Sequence, residues 1–378
     1  MSETFTHWAA EISLYSGKTR CYLRHKRIPF KEKAPNIYYG LFVFPRRVDA
    51  AVMPVITTPE GEWLGDTSAI IDRLEARFPE PAVVPATPVQ RFAAYLFEMW
   101  GDEFWLPVAM HARWSHPENL PLFQREVGAQ MLPGFPRFLQ DRAGNHFADM
   151  MRAHLPRLGV GPHYKALIDR WMSLHLDALD RHLATTPFIL GTRPSLADYG
   201  MIGPLYAHLG RDPWPAKNLI APRRNLQAWV TRMNQPLAGA GGFFADDHLP
   251  ATLDPALRSI FDELVPYLDG ILAEVNKAAA KHPAGQALPR FLGEVAYPYA
   301  GDTYRRQAMS YVLWMAQRAL DVLAKMPSDE QACVRNWVRA QGGERFLALD
   351  IPRLRRVGLS IAVESGRSSA PNIQQSSK

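Results

Sequence analysis

Strand-like stretches in this chain stop at a proline-rich joint, Pro79, Pro81, Pro85 and Pro88. That stop limits what the chain can fold into, because a sheet must be built from the first eighty or so residues and the rest must pack as helices. Ahead of the joint, FTHWAAEI at 5–12 reads as a strand, and the pattern turns helical from Lys18 to Arg27. Ile28-Pro29-Phe30 ends that helix, since proline restricts the residue before it. A second strand starts at Phe30, and residues 34–51 read as irregular or weakly helical. Val52 to Ile56 reads as a strand interrupted by Pro54. Pro59-Glu60-Gly61 marks a turn and Glu62 to Leu64 a short strand. Asp66-Thr67 then precede an amphipathic helix carrying Ile70, Ile71, Leu74 and Phe78. The order is strand, helix, strand, helix, hairpin, helix: a small α/β layer.

Beyond the joint, helical periodicity runs from Gln90 to Trp105, with Phe92, Leu96, Met99 and Trp100 on related faces. Residues 115–160 read as mixed and proline-broken. A strong helix spans about 164–183, with Leu167, Trp171, Leu174, Ala178 and Leu179 apolar. Ser195 and Asp198 form S-x-x-D, a capping box with a structural role. GAGGFF after Pro236 is a break, and residues 251–362 read as a third, helical segment. There Asp302 or Thr303 caps a helix bearing Tyr304, Ala308, Tyr311, Val312, Met315 and Ala319. The closing ESGRSSAPNIQQSSK is poor in apolar residues and is expected to be disordered. The expected divisions are 1–86, 87–238, a helical extension at 239–363 and a tail at 364–378.

The net charge of +6 is small and its basic residues are scattered, which suits anionic small ligands and does not call for nucleic acid. Two cysteines make neither a disulfide framework nor a metal cluster, and none of the 12 histidines stands in H-E-x-x-H spacing, so no metal is expected. No apolar run approaches the ~18 residues that span a bilayer. The N-terminus lacks the pattern of a signal peptide. A soluble cytoplasmic protein that binds no membrane is the expectation.

YSGKTRCYLRHKRIPF at 15–30 contains the end of a phosphate-loop pattern. G-x-x-x-x-G-K-[ST] would need glycine at position 12, which is Ile12, and a β-branched residue does not take the positive φ of such a turn. A nucleotide site is therefore not expected. The stretch is better read as a polar turn stationing hydroxyls at the start of a helix.

Four local motifs, in order, resemble the glutathione transferase family over residues 5 to about 236. Ser13-x-x-Ser16-Gly17-Lys18-Thr19-Arg20, running on to Ile28-Pro29-Phe30, is similar to the family's first strand-to-helix turn and helix. Val52-Met53-Pro54-Val55 resembles its cis-proline loop, and Asp66-Thr67-Ser68-Ala69-Ile70-Ile71 its acidic-Ser/Thr-x-Ala-Ile signature. Ile189-Leu190-Gly191 with Ser195-Leu196-Ala197-Asp198 resembles its second-domain capping motif. The resemblance implies an α/β thioredoxin-like N-terminal domain followed by an all-α domain, with residues 240–378 outside the family pattern. It also implies homodimerisation.

Glutathione, as co-substrate, offers two carboxylates, an amine and a thiol. By the resemblance, Met53 before a cis Pro54 offers its backbone to the cysteinyl part, as a strand offers its edge to a peptide. Asp66 and Thr67 sit at a helix start, where free N–H groups and the dipole favour a carboxylate; Asp66 pairs with the amine. Taken alone, Asp66-Thr67 reads as a plain cap worth ~1 kcal/mol, and the Pro54 loop upstream turns the reading to a ligand site. The thiol needs a donor that lowers its pKa. Ser13, Ser16 and Tyr15 are the candidates, the choice depending on loop length. Cys21 lies too far into the helix and is expected in the core. Trp100, Phe104 and His111 on the first long helix of the second domain are the candidates for an apolar second substrate. The implied function is attack of a glutathione thiolate on an apolar electrophile; the alternative is a binding or scaffold protein of the same fold without turnover.

Overall fold

A computed structural model describes residues 4–237, 239 and 241–364. The first eighty residues form a four-stranded sheet in the order β2-β1-β3-β4. The strands are β1 (Phe5–Trp8), β2 (Phe30–Lys33), β3 (Val55–Thr57) and β4 (Trp63–Gly65). β1 and β2 run parallel, and β3 is antiparallel to both β1 and β4. Helices α1 (Leu14–His25), the short α2 (Phe44–Val48) and α3 (Thr67–Arg77) complete a thioredoxin-like layer. β1 is shorter than FTHWAAEI suggested and α1 starts earlier than Lys18. Ser13, in an extended conformation, is the N-cap, and its N–H bonds the Ala10 carbonyl to close the turn.

The second part is helical: α4 (Pro88–Met99), α5 (Leu106–Trp114), α6 (Leu120–Met131), α7 (Arg137–Arg152), α8 (Lys165–Leu183), α9 (Leu196–Ala207), the one-turn α10 (Pro213–Pro215) and α11 (Arg224–Met233). A π-turn at Trp100–Phe104 joins α4 to α5. Residues 115–160, which read as broken, contain a helical hairpin of α6 and α7. Gly128 and Gly144 allow its close approach: a Cβ on either would run into a carbonyl of the facing helix. Leu174 of α8 is 52 % exposed rather than core. The expected cap of α9 is present. Asp198 accepts from Ser195 N–H and O–H, from Ile189 N–H at 2.9 Å and from the Trp229 indole at 3.0 Å.

The C-terminal extension is not purely helical. It contains α12 (Asp254–Arg258), α13 (Val265–Ala279), the hairpin β5 (Phe291–Tyr299) and β6 (Asp302–Met309), α14 (Ser310–Ala324), α15 (Ser328–Ala340), α16 (Glu344–Leu347), and the hairpin β7 (Leu354–Val357) and β8 (Ser360–Val363). Asp302 and Thr303 therefore start a strand, and the helix expected there begins at Ser310. The reason is a period of two: Tyr304, Arg306 and Ala308 are buried while Thr303 and Arg305 face solvent. Residues 365–378, where a disordered tail was expected, lie outside the described residues. Among the described residues no helix is long and apolar enough to cross a membrane.

One cluster of buried apolar side chains runs from Phe5 to Ile361, so the three parts share a core. Inside it lies a charge network. Lys18 of α1 donates to Glu98 at 2.7 Å, Asp102 at 2.5 Å and Ser68 at 3.1 Å. Arg318 of α14 binds the other Glu98 oxygen and forks onto Asp72 at 2.8 and 2.9 Å. Burial alone would raise Glu98, but Arg318 and Lys18 outweigh it and hold the carboxyl down at about 2. Burial, with Glu98 close by, pushes Asp102 above the carboxylate range against the pull of Lys18. Removing one member of such a network strands its partners. Lys18→Met, which keeps the side-chain volume, is expected to cost about 3–5 kcal/mol of unfolding free energy in urea. A loss below about 1 kcal/mol would mean that Arg318 alone balances the acids.

Candidate functional site

The three hydroxyls singled out from the sequence stand after the C-terminal end of β1, where α1 begins. Their commitments differ. Ser16 is buried and its Oγ accepts from Ala10 N–H at 3.3 Å. The Tyr15 hydroxyl donates to the Asp102 carbonyl at 3.2 Å. Burial, with Glu103 and Asp102 nearby, holds that phenol well above its ordinary pKa. Ser13 is half-buried, and its hydroxyl makes no cap hydrogen bond. Cys21 packs in the core, where burial pushes its thiol up to about 12.

The phosphate-like Gly17-Lys18-Thr19 faces inward throughout. Lys18 joins the charge network, Thr19 Oγ1 lies 2.7 Å from His7 Nε2, and Gly17 lies against the Tyr206 ring.

The Met53–Pro54 bond is cis. β3 proves to be an interior strand, so no edge is offered along its length. Its ladders to β1 and β4 end at Val55, however, and the Met53 backbone makes no hydrogen bond to other backbone groups.

α3 starts at Thr67, with Asp66 as N-cap at φ 73°. Asp66 Oδ1 accepts from Ala69 N–H at 2.9 Å. Its Oδ2 accepts from the Tyr311 hydroxyl at 2.5 Å, and Arg356 Nε stands 3.9 Å away. Tyr311 and Arg356 belong to the extension, and nothing in their local sequence marked them as neighbours of Asp66.

Glu103 was also missed. It sits on the π-turn between α4 and α5, a local distortion that often accompanies function. Its carboxyl is buried and Oε2 has no partner. Burial pushes it up to about 7 against the pull of Arg290 and Arg306, with Asp66 adding to the rise.

Trp100, Phe104 and His111 are all in the interior. The Trp100 indole donates to Ser259 Oγ at 3.1 Å. Phe104 packs on Tyr297 and Tyr299 of β5, with ring centroids 5.9 and 5.7 Å apart. His111 Nε2 lies 2.9 Å from Asp169. The extension and neighbouring helices cover the surface these residues were expected to expose. Two open cavities, of about 370 and 680 Å³, lie elsewhere, on α8 with α12 and on α11.

Residues 8–82 match the family model for the glutathione S-transferase N-terminal domain, and residues 174–232 the model for its C-terminal domain. The two models occur in the family's order, so over these two stretches the chain is similar to the glutathione S-transferase family. No curated protein matches the sequence at a significant level. Among solved structures, a glutathione S-transferase of Methylobacterium radiotolerans in complex with glutathione sulfonate is 19 % identical, with a TM-score of 0.37. That match covers 61 % of this chain and 90 % of the other. The beta-etherase LigF of Sphingobium sp. is 16 % identical with a TM-score of 0.40, over 61 % of this chain and 94 % of its own. The likeness to the family rests on the two domain models.

The buried Glu103 yields a pH signature. Its pKa is raised from 4.5 to about 7 in the fold. Its contribution to stability is therefore full below the unfolded value and is lost as pH rises through about 7. Urea unfolding of wild type and Glu103→Gln from about pH 5 to 7.5 should show the wild type losing stability relative to the variant. The slope should be at most about 1.4 kcal/mol per pH unit. Parallel curves would mean that Glu103 is ionised throughout.

Proposed function

We propose that this chain binds glutathione between the N-termini of α1 and α3 and ionises its thiol for attack on an electrophile. The unpaired Met53 backbone beside those two helix starts carries the reading. It offers an extended tripeptide one N–H and one C=O, as a strand end does. Asp66 and Thr67 at the start of α3 take the γ-glutamyl end, the ammonium on Asp66 and the carboxylate on the helix N-terminus and the Thr67 hydroxyl.

Ser13 is the thiolate donor. Of the three hydroxyls it alone is uncommitted, and it caps the positive end of α1, which favours an anion there. A hydrogen bond to sulfur and the helix dipole both lower the thiol pKa. The thiolate forms a carbon–sulfur bond to the electrophile, whose leaving group departs with the bonding pair. Tyr15 and Ser16 act as supports, Tyr15 by fixing the π-turn and Ser16 by fixing the loop after β1. An apolar electrophile meets the half-buried Tyr15, Met53 and Trp114 rather than the enclosed Trp100, Phe104 and His111.

The second reading is a glutathione-binding protein without turnover. It is favoured by the hydrogen bond of Tyr311 to Asp66, which engages the site acid from within the chain.

Calorimetric titration with glutathione in two buffers of different ionisation heat separates the two. Binding with release of about one proton near pH 7 supports thiol ionisation. Binding without release supports the second reading, and no binding overturns both. Thr67→Ala is expected to weaken glutathione about tenfold, on the order of 1.4 kcal/mol for a hydrogen bond to a charged group. Unchanged affinity would reduce Thr67 to a helix cap. Ser13→Ala should keep affinity within a few-fold and abolish proton release; retained release would move the donor role to Tyr15.

A further inference from the structure

Besides the Arg318 fork onto Asp72, the extension reaches the N-terminal half near the start of α3 through one hairpin and the helix beside it. The β7–β8 turn lies against the loop that leads to Pro54. A Cβ on Gly358, at φ 56°, would stand 2.5 Å from the Asp49 carbonyl. Only glycine allows this approach. On the other side of the same mouth, Arg356 of β7 faces Asp66, and Tyr311 of α14 holds Asp66 Oδ2. The hairpin thus bridges from the loop before Pro54 to the start of α3.

The pairing of Arg356 with Asp66 is incomplete. At 3.9 Å, Nε is beyond hydrogen-bond range of Oδ2. Among the described residues the guanidinium donates one hydrogen bond, from Nη1 to the Gly358 carbonyl of its own turn, at 3.2 Å. Carboxylates prefer to meet arginine through two parallel N–H bonds, and this arginine has the donors to spare. Its side chain is 25 % exposed and that of Asp66 is 11 % exposed, so both are reachable from solvent. A cation and an anion held just apart are the complement of a zwitterion. The free head of an α-amino acid, with its ammonium and carboxylate on one carbon, is such a group. Glu103 Oε2, buried and without a hydrogen-bond partner among the described residues, is near enough to Tyr311, Tyr15 and Asp66 to act on them electrostatically.

We infer that Arg356 of the C-terminal hairpin is a ligand-binding residue of the glutathione site, receiving one oxygen of the γ-glutamyl α-carboxylate while the start of α3 with Thr67 receives the other and Asp66 the ammonium. Tyr311 is a positioning residue: its hydroxyl orients Asp66 toward the head. The inference rests on the glutathione reading above. It makes the extension part of the site and selects ligands with an unblocked α-amino-acid end.

The test is titration of the full-length chain with glutathione and with cysteinylglycine, which lacks the γ-glutamyl head. The proteins are wild type, Arg356→Gln, Arg356→Lys and, as a control, the exposed neighbour Arg355→Gln. Arg356→Gln is expected to weaken glutathione at least tenfold and to leave cysteinylglycine unchanged. Arg356→Lys, which keeps the charge and loses the two-pronged geometry, should recover part of the loss, which a merely misfolded hairpin would not, and the control should match wild type. Glutathione affinity unchanged or tightened in Arg356→Gln overturns the inference while leaving the glutathione reading intact. Wild type that binds neither peptide overturns both.

Discussion

The buried network around Lys18 sets the position of everything near the site. Its members come from α1, α3, α4, the π-turn and α14. Charges taken out of water cost several kcal/mol each unless their partners stand at hydrogen-bond distance. Each of the four helices must therefore keep its register to within a few tenths of an ångström. Ser13 lies just ahead of Lys18 on the turn into α1, and Thr67 adjoins Ser68 on α3. The two helix starts that would hold a tripeptide are placed by the same ion pairs. The network also explains why the π-turn is tolerated: Asp102 on it anchors Lys18, and its carbonyl accepts from Tyr15.

The extension enters this arrangement through Arg318, which meets the same Glu98 carboxylate as Lys18 from the opposite side. Its β5–β6 hairpin closes over the π-turn with a nest of tyrosines. The Arg306 guanidinium stands 4.0 Å from the Tyr267 ring centroid, and Tyr299 stacks on Trp171 at 5.2 Å. Aromatic and cation–π packing of this kind is stiff and desolvated. An apolar wall that an uncovered α4 and α5 would present to solvent is here an interior surface. The substrate-facing role expected of Trp100, Phe104 and His111 depended on that wall being open.

The N-terminal layer and the cap of α9 were largely legible in the sequence. Asp66 before a helix, Pro54 before a strand and the S-x-x-D cap each rest on local chemistry that needs no knowledge of distant residues. Errors clustered where two periods overlap. Tyr304, Ala308, Tyr311 and Met315 fit a helix face, but Tyr304, Arg306 and Ala308 also fit one face of a strand, and the hairpin partner β5 decided between them. The α6–α7 hairpin was obscured by its prolines, although Gly128 and Gly144 marked the close contact. Tyr311 and Arg356 were not legible, because each acquires its meaning from Asp66 far away along the chain, and Glu103 was not, because only the packed fold buries its carboxyl.

By itself the sequence determined the local elements, the caps and the residue types available at each turn, since these follow from backbone sterics and hydrogen bonding within a few residues. Lys18 shows what it left open. In GKT it has the look of a phosphate-binding lysine, yet it spends its charge on Glu98 and Asp102, some eighty residues on. Asp66 likewise is a cap by sequence and an ion-pair partner of the extension by structure. Only the tertiary fold decides which charges meet. Coulomb energy depends on separation and on the surrounding dielectric, and both are properties of the packed chain.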